Sequence, residues 1–86
     1  MSTLADRTET VQITGVRFTD DRVYVALSDG REVGLPLSLR GLRWLATASP
    51  DERAGWEIGP AGQSVNWWNL DDGIEVEHLL RHGRLT

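Results

Sequence analysis

The sequence predicts an α+β fold: an antiparallel three-stranded meander, a helix, a short helix, a second hairpin and a terminal helix, with the helices packed on one sheet face. Three observations predict it. Val23, Val25 and Leu27 alternate with Tyr24 and Ala26 and run into Asp29-Gly30, a hairpin signal. Leu39, Leu42 and Ala46, flanked by Leu45, recur at helical spacing behind Ser38. Trp56-Glu57-Ile58 and Ser64 to Trp67 read as two short strands around the turn residues Gly59-Pro60-Ala61-Gly62.

Residues 1–10 are polar and carry no hydrophobic period, so a disordered tail is expected ahead of one domain over residues 11–86. From Val11 the pattern becomes strand-like. Val11 and Ile13 share one parity and Val16 and Phe18 the other, which puts a bulge at Gly15 and bends the first strand. Asp20-Asp21 makes a turn, the second strand follows, and Arg31 to Leu35 pairs back beyond Gly30, whose missing Cβ permits positive φ.

Pro36 ends that strand, and Ser38 is placed to cap a helix over Leu39 to Ala48. Ser49-Pro50-Asp51-Glu52 starts a second helix, with Ser49 as cap, Pro50 at the first helical position and Glu52 reaching back. Gly55 limits it to one or two turns. After the second hairpin, Asn69 to Gly73 reads as a turn and Val76 to His82 as the terminal helix, with Leu79 and Leu80 as its apolar face and Gly83 as its stop.

A chain of 86 residues buries a single modest core, which leaves little room for a deep substrate cavity. Without cysteine there are no disulfides, thiol nucleophiles or thiolate ligands, which fits a reducing cytoplasm. No apolar run approaches the roughly 18 residues a membrane span needs, and the first residues lack the features of a signal peptide. The reading is therefore of a soluble, unexported, cytoplasmic protein. The net charge of −4 repels nucleic-acid phosphates and favours a protein partner with a basic surface. All nine basic residues are Arg, so neither a Lys Schiff base nor a phosphate-loop Lys is present.

Among candidate sites, His78 and His82 lie four apart with Glu75 one turn before His78, a spacing that can point at one metal ion. Further ligands would have to come from scattered carboxylates, so no metal and no cofactor is predicted. No nucleophile elbow is present, and Asp71-Asp72 in a hydrated turn is a poor acid–base pair. Four Trp in so short a chain serve either core or interface. Strand parity groups Trp56 with Ile58 and Trp67 with Val65 and assigns both pairs to the core. Trp44 falls off the helical stripe and Trp68 has the parity opposite to Trp67, which makes both candidates for an exposed surface.

Two partner-binding surfaces follow. Arg40 and Arg43 flank Trp44, a combination enriched at interfaces, although either Arg can instead pair internally with Glu32 or Asp51. Asp71, Asp72, Glu75 and Glu77 lie within seven residues with no basic residue among them, and so concentrate the negative field.

The ordered series Ser28-Asp29-Gly30, Leu35-Pro36-Leu37-Ser38, the Leu-rich stretch with Trp44, Ser49-Pro50-Asp51-Glu52-Arg53, and Trp67-Trp68 through Leu79-Leu80 resembles a small bacterial family, domain of unknown function 2442, from about Ile13 to Leu80. Trp68 stands where typical members of that family have Pro. The resemblance implies the α+β fold above and a small accessory protein, sometimes fused to a DNA-binding helix-turn-helix and often encoded beside another small protein in an antitoxin-like arrangement. No added domain of that kind is expected here.

The functional expectation is a non-enzymatic, acidic protein-interaction module, antitoxin-like, that neutralises a protein partner. An alternative is a mobile-element inhibitor of a nucleic-acid-binding defence complex, of the anti-CRISPR sort, using the same electrostatics. A metal-assisted hydrolase at His78, His82 and Glu75 is the competing enzymatic reading, and direct DNA regulation would need a basic stripe that the sequence lacks.

Overall fold

A computed structural model describes residues 11–82 and 84–85, the last two and His82 by backbone alone. The tail expected over residues 1–10 and the Gly83 stop lie outside the described residues. The meander forms as expected: β1 (Ile13–Phe18), β2 (Arg22–Leu27) and β3 (Glu32–Pro36) are antiparallel neighbours. The β1–β2 register shifts between Ile13 and Gly15, where the change of parity required a bulge. Gly30 adopts φ +94°, and its amide closes the turn on the Leu27 carbonyl.

Cross-strand pairing places Val16 and Phe18, Val23 and Val25, and Val33 and Leu35 on one face. The other face carries Arg17 stacked over Tyr24 at 4.1 Å and bonded to Glu32 through two 2.8 Å contacts. That bond pushes the Arg17 guanidinium up from an already high value. Glu32 is thereby engaged on the outer face, away from Arg40 and Arg43.

The predicted Leu39–Ala48 helix is a 3-10 turn over Arg40–Leu42 followed by the short α1 (Arg43–Ala46). Ser38 does not cap it; Leu39 occupies the cap position without a side-chain bond. The buried stripe also shifts. Leu42 and Leu45 are buried and Leu39 half-buried, whereas Ala46 is exposed. A 3-10 turn repeats every three residues, so it brings Leu39 and Leu42 to one side, and Leu45 follows from the α-helical turn of α1.

The next helix, α2 (Pro50–Arg53), starts as expected. The Ser49 hydroxyl accepts from the Glu52 amide at 3.1 Å, and the Glu52 carboxylate accepts from the Ser49 amide at 2.8 Å. Arg53 then reaches back to the Leu45 and Ala46 carbonyls, both at 3.1 Å, and satisfies the end of α1.

The second hairpin is β4 (Trp56–Ile58) and β5 (Ser64–Trp67), and β5 gains a further partner in β6 (Asp72–Glu75). The expected turn over Asn69 to Gly73 is therefore a 3-10 turn at Trp68–Leu70, a left-handed Asp71 at φ 58°, and the start of a strand. Asp and Gly are poor strand formers, and pairing with β5 overrides them. The helix α3 (Val76–His82) has its predicted bounds and lies against β3. Its buried positions are Val76 and Leu79; Leu80, expected on the apolar face, is 51% exposed. Beyond it, the two-residue β7 (Arg84–Leu85) pairs with β3 as an unpredicted fourth strand of the first sheet.

One core joins the two sheets, with Val23, Val25, Val33 and Leu35 on one side and Val65 and Trp67 on the other, Leu45 and Leu79 closing it. Trp67 is fully buried at its centre. Phe18 meets it edge-on at 6.4 Å and Trp44 at 5.5 Å, and its indole donates to the Arg53 carbonyl. Val65 and Trp67 follow the predicted parity. Trp56 and Ile58 pair with them on the same face but stand on an edge strand, so Trp56 is half-buried and Ile58 is 41% exposed. No helix among the described residues is long and apolar enough to cross a membrane.

Candidate functional site

The second sheet carries the most distinctive surface. Trp68 follows the buried Trp67 and opens the 3-10 turn that ends β5, where it is 62% exposed. It is not loose: its indole Nε1 donates to Glu57 Oε1 at 2.8 Å. Glu57 sits between the inward-facing Trp56 and Ile58, so parity places it on the outer face beside Trp68. Sequence reasoning overlooked Glu57, although the alternation that pointed Trp56 inward also turned Glu57 out. Asp71 closes the same turn, its amide donating to the Trp68 carbonyl at 3.2 Å, and Asp72 follows opposite Trp67.

The four acids of the sequence patch divide. Asp71 and Asp72 lie at the Trp68 end of the sheet, Glu75 at the far end of β6 opposite Ser64, and Glu77 on α3, where Arg81 pairs with it at 2.9 Å. Asp72 and Glu75 are three apart on a strand and project to opposite faces, but both border the outer edge of β6.

A groove of about 320 Å³ runs along that edge. Asp72, Gly73, Ile74 and Glu75 form one side, and Gly41, Leu42, Trp44 and His78 the other. The Val76 amide donates to the Gln63 carbonyl at 2.9 Å, and this fixes the hydrogen-bonding parity of the strand. The peptide groups of Asp72 and Ile74 therefore turn toward β5, and those of Gly73 and Glu75 turn outward, toward the groove. The Gly73 amide accordingly meets the Asp72 carboxylate at 2.8 Å rather than β5.

The Arg40/Arg43/Trp44 group is built differently from what its sequence suggests. Trp44 is half-buried, packs edge-on against Trp67, and donates to the Gly41 carbonyl at 2.9 Å. Arg40 and Arg43 are exposed, and neither forms an ion pair with Glu32, Asp51 or any other described residue. Arg40 borders an apolar hollow with Leu39, Gly41, Leu42 and His78 that opens beside the groove. The described residues contain no group of three or more His, Cys, Asp or Glu arranged to hold a metal ion, and the His82 side chain lies outside them.

No curated protein and no solved structure matches the chain significantly. A family model does match it, over residues 13–84. That span includes β1 to β6, the groove and the Trp68–Glu57 pair. The chain accordingly belongs to the family described as "Protein of unknown function (DUF2442)".

Proposed function

We propose that this protein is a non-enzymatic protein-interaction module that binds and neutralises a partner with a basic surface, as an antitoxin-like accessory protein would. Trp68 carries the reading. A large aromatic ring, 62% exposed and already held by Glu57, loses little freedom when a partner covers it. An Arg or Lys over the ring face gains a cation–π contact, and the neighbouring carboxylates of Glu57, Asp71 and Asp72 reinforce the attraction. The net charge of −4 favours the same class of partner during approach. An inhibitor that occupies the basic nucleic-acid site of a defence complex would use the same surface.

The test is comparative capture from the source cells with tagged wild-type protein, Trp68→Ala, and the double variant Asp71→Lys/Asp72→Lys. A basic protein retained by the wild type and lost with both variants supports the reading. Equal retention by all three, or an acidic partner, overturns it.

A further inference from the structure

We propose that the outer edge of β6 accepts an extended basic segment of the partner as an added strand. The inference rests on the basic-partner reading and specifies how part of that partner would be held. Gly73 and Glu75 turn their peptide groups away from β5 and toward a groove of about 320 Å³, as an added strand requires. Gly73 has no side chain on this edge, and the Asp72 carboxylate that its amide meets at 2.8 Å turns instead to a basic residue of the incoming strand. Beside it the groove is floored by the buried Ile74 and Leu42 and walled by the half-buried ring of Trp44.

Charge selects the occupant. Asp72 and Glu75 flank the two inner positions of the edge, so an incoming strand meets a carboxylate at each end and the apolar Ile74 between them. The complementary antiparallel segment has a basic residue opposite Glu75, an apolar one opposite Ile74, any small residue opposite Gly73, and a basic one opposite Asp72. A second copy is a poor occupant. Two β6 edges paired about a two-fold axis would gather the carboxylates of both copies along one seam with no basic strand residue between them, which is destabilising. The same charges that repel another copy of the chain thus recruit a basic strand.

The probe is the capped peptide acetyl-Thr-Arg-Val-Thr-Arg-Thr-amide, used with the full chain. Three peptides are compared: the unmodified one, the same peptide N-methylated at its first Arg and middle Thr, and its Glu-for-Arg counterpart. Binding is read by NMR titration, and the Gly73 and Glu75 amides by hydrogen exchange. The expected result is that the unmodified peptide slows exchange at Glu75 by about tenfold or more, while N-methylation weakens binding by a similar factor and the acidic peptide does not bind.

Equal binding of the N-methylated peptide, or binding without slowed exchange at Glu75, overturns strand addition while leaving a charge-driven interaction module intact. Failure of the unmodified peptide to bind at millimolar concentration overturns it too. Slowed exchange at Glu75 that grows with protein concentration alone assigns the edge to a second copy. The capture experiment with Trp68→Ala reads the basic-partner proposal separately from all of these outcomes.

Discussion

The Trp67 indole donates its Nε1 proton to the Arg53 carbonyl at 2.8 Å, joining the middle strand of the second sheet to the end of α2. Arg53 in turn donates from its guanidinium to the Leu45 and Ala46 carbonyls. One side chain thus fixes the short helices relative to the sheet, and the position of Trp44 over Trp67 depends on it. Trp67→Phe keeps an aromatic ring in the core but leaves the Arg53 carbonyl without its donor. The expected loss is about 1–3 kcal/mol for the unsatisfied group, with more from lost ring volume. Urea midpoints measure it, and Trp68→Phe, at an exposed position, serves as the comparison with little change.

Ser49 and Glu52 satisfy each other's backbone amides at the start of α2. Ser49→Ala removes one of these bonds and should cost about 0.5–2 kcal/mol. Glu52→Gln preserves the reach of the side chain and should cost less than Glu52→Ala. Denaturant midpoints for the three variants rank these effects.

Two glycines near the groove should respond with opposite sign. A Cβ at Gly73 would lie 2.7 Å from the Val65 carbonyl and against the Asn66 side chain, so Gly73→Ala forces β5 and β6 apart. A Cβ at Gly41 meets nothing within 4 Å and the residue's φ is not positive. Gly41→Ala should therefore stabilise by about 0.4–1 kcal/mol, mainly by restricting the unfolded chain. Thermal melts of the two variants should move in opposite directions.

The Asp29 carboxylate in the first hairpin accepts from the Arg31 amide at 3.1 Å and from the Arg31 guanidinium at 2.7 Å. The amide bond is the principal cause that holds its pKa below the ordinary carboxylate value. The unfolded chain then binds the proton more readily than the folded one. The stabilisation is complete above the unfolded value of about 3.9 and is lost as pH falls through the lower, folded value. NMR titration should place Asp29 below the ordinary value, and Asp29→Asn should make stability less dependent on pH in the acid range.

Much of the first sheet was legible in the sequence, because its signals are local. The alternation of Val23, Val25 and Leu27, the change of parity around Gly15 and the turn at Gly30 each determine a strand or a connection without reference to distant residues. The Ser49–Glu52 cap is equally local. The sequence was misleading where tertiary packing decided the outcome. β6 is built from Asp72 and Gly73, which read as turn residues, and it exists because β5 offers it a partner. The residues after Ser38 read as one helix, yet the core selects a 3-10 turn that brings Leu39 and Leu42 to one side, ahead of the α-helical Leu45.

The candidate site was legible in its residue types more than in its shape. Trp68 was recognisable from its parity and Asp72 and Glu75 from their charge. Their arrangement around a strand edge required the strand to be known, and the role of Glu57 required the register between β4 and β5. Glu77, grouped with the other acids by proximity in sequence, spends its charge on Arg81.

The central claim is that the acidic second sheet, with Trp68 and Asp72 at one end of β6 and Glu75 at the other, attracts a basic partner. The most direct measurement is the association rate with the captured partner as a function of ionic strength, for the wild type and for Asp72→Lys/Glu75→Lys. Charges on the surface are screened over about 8–10 Å at moderate ionic strength, so the wild-type rate should fall as salt rises. The reversed variant should associate more slowly at low salt and lose that dependence, whereas the charge-matched control Asp20→Lys/Asp51→Lys should retain it. A wild-type rate insensitive to salt, or normal binding by the reversed variant, would contradict the account and assign recognition to the Arg40, Arg43 and Trp44 surface instead.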